Sequence, residues 1–407
     1  MKNIEVLFLC GAFTINHEME IINKSKRQVE QAANAFQIKL IDGLLLKENV
    51  NLSIISAPFI GPYPKSYKDI YFKGFETNSN LNEFEYVHFN NIWGLRNFSR
   101  TIALRKAIVK FAKLESNSKC IIIYSPHTPL LEAAVKAKEI DDRIKICLIV
   151  PDLPQFMNLS SGSRLLYDLL KKIDIMRFRN LSRKIDSFVI LTKEMKSQLR
   201  IGERKYLVIE GVAGDSSYNS IYMKKKNSNN TIVYTGKLNE IFGVLNLVLA
   251  FELIQDINLR LVICGNGELE KTLRDYSKID SRINFLGQIP ITEAKRIIRD
   301  ATILVNPRQN NELYTKYSFP SKIIDYLSSG NPVIAYKLDG VPEIYDNFLN
   351  YVEDNSINSL KNKIEAILNS LNSEEILSKS AAAIEYFRIE RRPEQVVAKI
   401  IDMIETC

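Results

Sequence analysis

Asn306-Pro307-Arg308, then Ser318-Phe319-Pro320-Ser321-Lys322-Ile323-Ile324-Asp325-Tyr326, then Gly330-Asn331-Pro332-Val333 form the stretch from which the fold is read. The apolar run 302–305 reads as a buried strand, followed by a polar loop, a short amphipathic helix and a second buried strand over 333–336. Ser318 is placed as the helix N-cap, and Pro320 falls in the first turn, where its missing N–H costs nothing. Gly330 stops the helix, with Pro332 just beyond it. A helix start at the carboxyl end of a parallel strand presents unpaired N–H groups and a partial positive charge, which suits a phosphate group. Ser321, Lys322 and Ile323 hold the positions whose backbone N–H groups would face that phosphate, and Asp325 lies where a ribose hydroxyl is within reach.

The same alternation of apolar run and helix-period stretch extends through the chain. Candidate strands fall at 4–10, 52–57, 120–124, 146–150 and 187–191, and again at 231–234, 259–264, 302–305 and 333–336. Most lack polar alternation, the mark of parallel strands covered on both faces. Helices between them imply right-handed βαβ units and doubly wound sheets. The polar segment 215–230 breaks the periodicity, after which the pattern restarts. The expectation is therefore two Rossmann-like α/β domains, 1–214 and 215–389. A tail helix over about 390–407 carries Val396, Val397, Ile400, Ile401 and Ile404 on one face.

At 407 residues the chain can fill two cores. No apolar run approaches the roughly 18–20 residues that cross a bilayer, and the start lacks a signal-peptide pattern. The cysteines Cys10, Cys120, Cys147, Cys264 and Cys407 are scattered, and four lie in strand-like stretches, so they read as buried small hydrophobes in a reducing compartment. No metal site is expected. Residues 1–200 hold 30 Lys and Arg against 20 Asp and Glu, whereas 201–407 hold 25 against 27. The imbalance suggests that only one domain meets an anionic surface, for which nucleic acid and anionic lipid are the usual candidates. Two basic stretches stand out, 96–113 and 164–184, the second interleaved with Leu165, Leu166, Leu169, Leu170, Ile173, Met176 and Phe178. They read either as helices that lie on an anionic membrane or as solvated faces of packed helices. No aromatic interleaving or motif points to nucleic acid.

Three further motifs precede the opening stretch in order: Tyr234-Thr235-Gly236-Lys237-Leu238 with Phe242-Gly243, Leu261-Val262-Ile263-Cys264-Gly265-Asn266-Gly267, and Phe285-Leu286-Gly287. With them, residues 231–345 resemble the nucleotide-sugar domain of glycosyltransferase family 4, the retaining GT-B enzymes, and are most similar to the branch that builds bacterial capsular and exopolysaccharide repeat units. The resemblance implies a GT-B fold, two Rossmann-like domains facing each other across a cleft. It implies donor contacts from Gly236, Lys237, Gly265, Gly287, Ile289, Arg308, Ser321, Lys322, Ile323 and Asp325. Lys237 stands where the family usually has an arginine on the donor diphosphate. Phe242 replaces a second base, which Arg308 or Lys322 would supply. Tyr317 replaces the first of two glutamates that the family often carries.

In the first domain, Tyr124-Ser125-Pro126-His127 ends a strand where the family often has a histidine near the reacting sugar, which makes His127 a catalytic candidate beside Lys237. Asp152, after the next strand, and Gly11, after the first, are acceptor-binding candidates. The resemblance implies a cytoplasmic enzyme at the inner membrane face. It would carry a sugar from a nucleoside diphosphate-sugar to a polyprenyl-linked glycan, with retention, no metal and no cofactor beyond the donor. The alternative is a non-catalytic GT-B subunit that stabilises a partner transferase. A sugar-nucleotide epimerase would need acid and histidine pairs that are not evident.

Overall fold

The computed structural model describes residues 3–27, 29–75, 84–156, 164–214 and 230–407. Of the expected boundary segment 215–230, residues 215–229 lie outside the described residues, as do the side chains of Arg164, Leu165, Leu166, Leu169 and Leu170. Contacts divide the chain into one unit of Met1–Val212 with Pro393–Cys407 and a second of Ala213–Arg392.

The first unit runs β1 (Ile4–Cys10), α1 (Ile15–Lys24), α2 (Gln31–Leu45), β2 (Val50–Ser56), β3 (Tyr71–Phe72), β4 (Phe84–Tyr86) and β5 (Phe89–Asn90). It continues through α3 (Arg96–Ala112), β6 (Lys119–Tyr124), α4 (Thr128–Ile140), β7 (Lys145–Val150), α5 (Arg164–Ser182), β8 (Ser187–Ile190), α6 (Met195–Gln198) and β9 (Lys205–Val208). Its sheet has the order β4-β2-β1-β6-β7-β8-β9, every neighbour parallel. All six residues of β6 are buried, which is why, after Lys119, an unbroken apolar run rather than an alternating one encodes it. The order reverses at β1, which has β2 on one side and β6 on the other. The carboxyl ends of β1 and β6 therefore flank the crevice where open α/β sheets place ligands.

The second unit runs β10 (Thr231–Thr235), α7 (Val244–Glu252), β11 (Arg260–Cys264), α8 (Glu270–Ile279), β12 (Ile283–Gly287), α9 (Ile291–Asp300) and β13 (Ile303–Asn306). It ends with α10 (Lys322–Ser328), β14 (Val333–Ala335), β15 (Leu349–Tyr351), α11 (Ile357–Asn369) and α12 (Glu374–Glu390). Its parallel sheet is ordered β12-β11-β10-β13-β14-β15, so the order reverses at β10, next to β13. Finally α13 (Pro393–Glu405) returns to the first unit and packs on α2, β7, β8 and β9. Its apolar stripe of Val396, Val397, Ile400, Ile401 and Ile404 is fully buried there. Gly43 of α2 lets the two helices meet, because a side chain at that point would run into the Pro393 carbonyl.

Candidate functional site

At the reversal in the second unit, backbone packs on backbone. Gly265 has φ +142°, and a Cβ there would overlap the Gly236 carbonyl. Gly243, φ +73°, lets the start of α7 touch the Pro307 carbonyl of the loop after β13. Strand pairing runs on past the strand ends: Gly236 N–H donates to Cys264 O at 2.9 Å, Leu238 N–H to Asn266 O at 2.8 Å, and Gly265 N–H to Gly287 O at 2.8 Å. Two buried tyrosines pin the turn. Tyr326 Oη accepts from Thr235 N–H at 2.7 Å, and Tyr234 Oη donates to the Lys237 carbonyl at 2.7 Å. The ends of β10, β11, β12 and β13 thus form one rim, carrying Gly236, Lys237, Gly265, Gly287 and Arg308. Lys237 is exposed on it. Ile289 lies two residues beyond Gly287, half-buried, in the loop before α9.

Two further bases are drawn in at this rim. Lys322 Nζ lies 3.8 Å from the centre of the Tyr234 ring, and a Cβ on Gly236 would come within 2.6 Å of it. Burial, and then the charge of Arg308, push the Lys322 ammonium down to about 7. Arg308 is itself buried, with its guanidinium 4.6 Å over the Tyr314 ring and Nη2 donating to Ser318 Oγ at 2.7 Å. That bond corrects the N-cap expectation. Ser318 is extended and follows a 3-10 turn, Leu313–Tyr317, whereas the N-cap of α10 is Ser321, three residues later, with no side-chain cap bond. The first turn is tight. Ile323 N–H donates to Pro320 O at 2.9 Å and is spent within the protein, so of the three expected backbone donors only those of Ser321 and Lys322 precede this bond. Asp325 is half-buried one turn into α10. Tyr317 closes the 3-10 turn, and the nearby Glu312 is exposed at its start.

In the first unit, His127 stands at the N-cap of α4, after Ser125, which takes the left-handed φ of +80°. A non-glycine residue held there stores local strain, as is common beside functional groups. Arg100 is buried, donates Nη2 to Pro58 O at 2.6 Å and lies 4.2 Å over Phe89. Arg96 donates Nη1 to Ile60 O at 2.9 Å. Between these anchored carbonyls, Phe59 meets the His127 ring edge-on, with centroids 5.6 Å apart. Burial, then the charges of Arg100 and Arg96, hold His127 well below the ordinary imidazole range, so it is neutral near pH 7. Phe59 also covers Gly11: its ring lies 2.6 Å from where a Cβ would stand, and Gly11 N–H is taken by Gln37 Oε1 at 3.0 Å. The expected open approach at Gly11 is therefore filled by an aromatic ring. Asp152 is exposed at the end of β7.

Residues 229–370 match the model of one protein family, Glycosyl transferases group 1. The match covers most of the second unit and every donor candidate named above. No curated protein matches the sequence. Among solved structures, the backbone is similar to sucrose-phosphate synthase from Thermosynechococcus elongatus, with TM-score 0.65 and 13% identity over 99% of each chain. It is also similar to HepE from Anabaena in complex with UDP, with TM-score 0.63 and 12% identity over 100% of each chain. A third is the lipopolysaccharide outer core galactosyltransferase WaaB, with TM-score 0.61 and 11% identity over 99% of each chain. The fold is GT-B, built from two parallel α/β domains.

The two basic stretches are less uniform than the sequence implies. Arg96 and Arg100 turn inward, as described above. In α5, Arg177 pairs with Glu132 of α4, which also meets Arg105 at 3.6 Å, and Asp174 accepts from the Thr128 hydroxyl. Phe178 is buried, whereas Ile173 and Met176 are exposed. Among the described residues no helix is long and apolar enough to cross a membrane, and no cluster of His, Cys, Asp or Glu is placed to hold a metal ion.

Proposed function

We propose that this chain transfers a sugar from a nucleoside diphosphate-sugar to a lipid-linked glycan, with the anomeric configuration retained and without a metal ion. The observation that carries this reading is the crowding of Lys322 and Arg308 at the glycine-lined rim of the second unit. Bases gathered in a partly desolvated place concentrate positive potential, which favours an anion of matching charge. A diphosphate is such an anion. Its charge grows as the glycosidic bond breaks, so Lys237, Arg308 and Lys322 act most strongly on the leaving group. Ser321 and Lys322 offer backbone N–H groups to it, and Asp325 accepts from the ribose. In the first unit, neutral His127 is assigned a hydrogen bond to a sugar hydroxyl and Asp152 one to the acceptor. Gly11 is left without a role, since Phe59 covers it. UDP is the first nucleotide to test, because the solved neighbour HepE holds it. The product class is a bacterial capsular or exopolysaccharide repeat unit, made by a protein resting on the inner face of the cell membrane.

A second reading, a non-catalytic subunit that stabilises a partner transferase, is favoured by Tyr317 standing where the family often has a glutamate. The separating experiment incubates the chain with sugar nucleotides and a polyprenyl diphosphate-linked glycan and follows the anomeric protons by NMR. The proposal predicts a product with the donor's configuration. It also predicts that Lys237→Ala lowers turnover on the order of a hundredfold, more than it weakens donor binding. Donor binding without turnover on any such acceptor selects the second reading.

A further inference from the structure

The outer face of α3 carries a patch that the transfer reaction does not use. Trp93, Leu95, Phe98 and Ile102 are 58%, 55%, 68% and 41% exposed. Leu95, Phe98 and Ile102 follow helical spacing, so they share one stripe, and Lys106 continues it one turn later. Single exposed hydrophobic residues are ordinary on a protein surface, but a contiguous patch of large ones is not. Beside the stripe lies a groove of about 840 Å³, closed on its other side by Tyr86, Val87 and His88. The charge around it is mostly positive, with one acidic residue, Glu85, in the lining. No Asp or Glu occurs between Glu85 and Glu115. Arg96 and Arg100 are turned inward, but Lys106, Lys110 and Lys113 are exposed on the later turns. The patch is thus apolar at the start of the helix and cationic at its end.

We propose that this face inserts its apolar side chains among the acyl chains at the surface of an anionic bilayer. Lys106, Lys110 and Lys113 then meet the lipid headgroups. An indole ring suits the boundary between headgroups and tails, and a helix with aromatic and aliphatic residues beside lysines lies in that plane. Charge alone brings a protein to such a surface. The exposed stripe adds contact that salt does not screen. This deepens the membrane part of the proposed function and uses no sugar donor or acceptor. A failed vesicle assay leaves transfer to a soluble acceptor standing, and a failed transfer assay leaves insertion standing.

Trp93 is the only tryptophan of the chain, so its fluorescence reports on the patch directly. The full-length protein is mixed with vesicles of phosphatidylcholine containing phosphatidylglycerol, and with phosphatidylcholine alone. With the anionic vesicles, the emission of Trp93 shifts to the blue and is quenched by brominated acyl chains, and part of the binding survives high salt. The triple variant Leu95→Ser, Phe98→Ser, Ile102→Ser changes only exposed positions and keeps the thermal melt of the parent. It binds anionic vesicles on the order of a hundredfold more weakly. Replacing Lys106, Lys110 and Lys113 by Gln weakens binding at low salt only. Unchanged emission and no quenching in the unmodified protein overturn the proposal without any variant. A triple variant that binds as the parent does, or a dimer in sedimentation that the triple variant dissolves, also overturns it.

Discussion

Lys322 is the residue whose chemistry is most altered by its place. Burial against Tyr234 and the charge of Arg308 bring it to about 7, so near neutral pH the free protein holds it partly unprotonated. A bound diphosphate reverses the balance and favours the ammonium. Binding therefore takes up a proton in the window above about pH 7, and affinity falls as pH rises through it. Calorimetry at pH 8 in buffers of different ionisation enthalpy measures this directly. Uptake of close to one proton is expected, and Lys322→Gln should abolish it. If the unmodified protein takes up no proton at that pH, Lys322 does not face the diphosphate. Which residues stand at the rim was implied by the resemblance: the glycines, Lys237, Arg308 and Lys322 belong to the motifs that carry it. Orientation was not. Nothing in the one-dimensional pattern says that Ser318 accepts from Arg308 instead of capping α10, or that Arg96 and Arg100 face inward to hold the carbonyls of residues 58–60. Those outcomes depend on tertiary partners far away in the chain. Tyr234 and Tyr326, which pin the glycine turn, were read only as parts of motifs, because a buried tyrosine hydroxyl reveals its partner only once the fold is known.

Among the elements, α13 was the most readable tail, because its apolar residues recur at helical spacing and all five are buried. Removing the end of one such side chain leaves a cavity. Ile400→Ala is expected to destabilise the first unit by about 2–5 kcal/mol. Denaturant melts followed by Trp93 fluorescence read that loss, and nucleotide affinity in the second unit should stay unchanged. A shift below the uncertainty of the melt would mean that α13 is not anchored as described. The long parallel strands were equally visible as unbroken apolar runs. The ones absent from the candidate strands, β4, β9, β12 and β15 together with the β3–β5 pair, are two to five residues long. So few residues give no period to detect. The start of α10 was misplaced by three residues for a related reason. Ser318 has the chemistry of a cap, but its hydroxyl is claimed by Arg308 and a 3-10 turn precedes it.

At the scale of the whole molecule, the charge imbalance between the halves follows from composition, whereas its use depends on which bases face outward. Of the stretch 96–113, the four outward bases are Arg105, Lys106, Lys110 and Lys113, and Arg105 is partly engaged by Glu132. The reversal points of the two sheets explain why candidates distant in sequence gather at strand ends: Gly236 with Arg308 in the second unit, and Gly11 with His127 in the first. The central claim is that the second unit holds a nucleoside diphosphate through its bases and Asp325. Its most direct test is calorimetric titration of the full chain with nucleoside diphosphates, UDP first, repeated on Asp325→Ala. The account predicts one-to-one binding of at least one nucleotide, weakened roughly tenfold to a hundredfold by the loss of a charge-assisted hydrogen bond to the ribose, with an unchanged thermal melt. Binding of no nucleoside diphosphate, or equal affinity in Asp325→Ala, would contradict it.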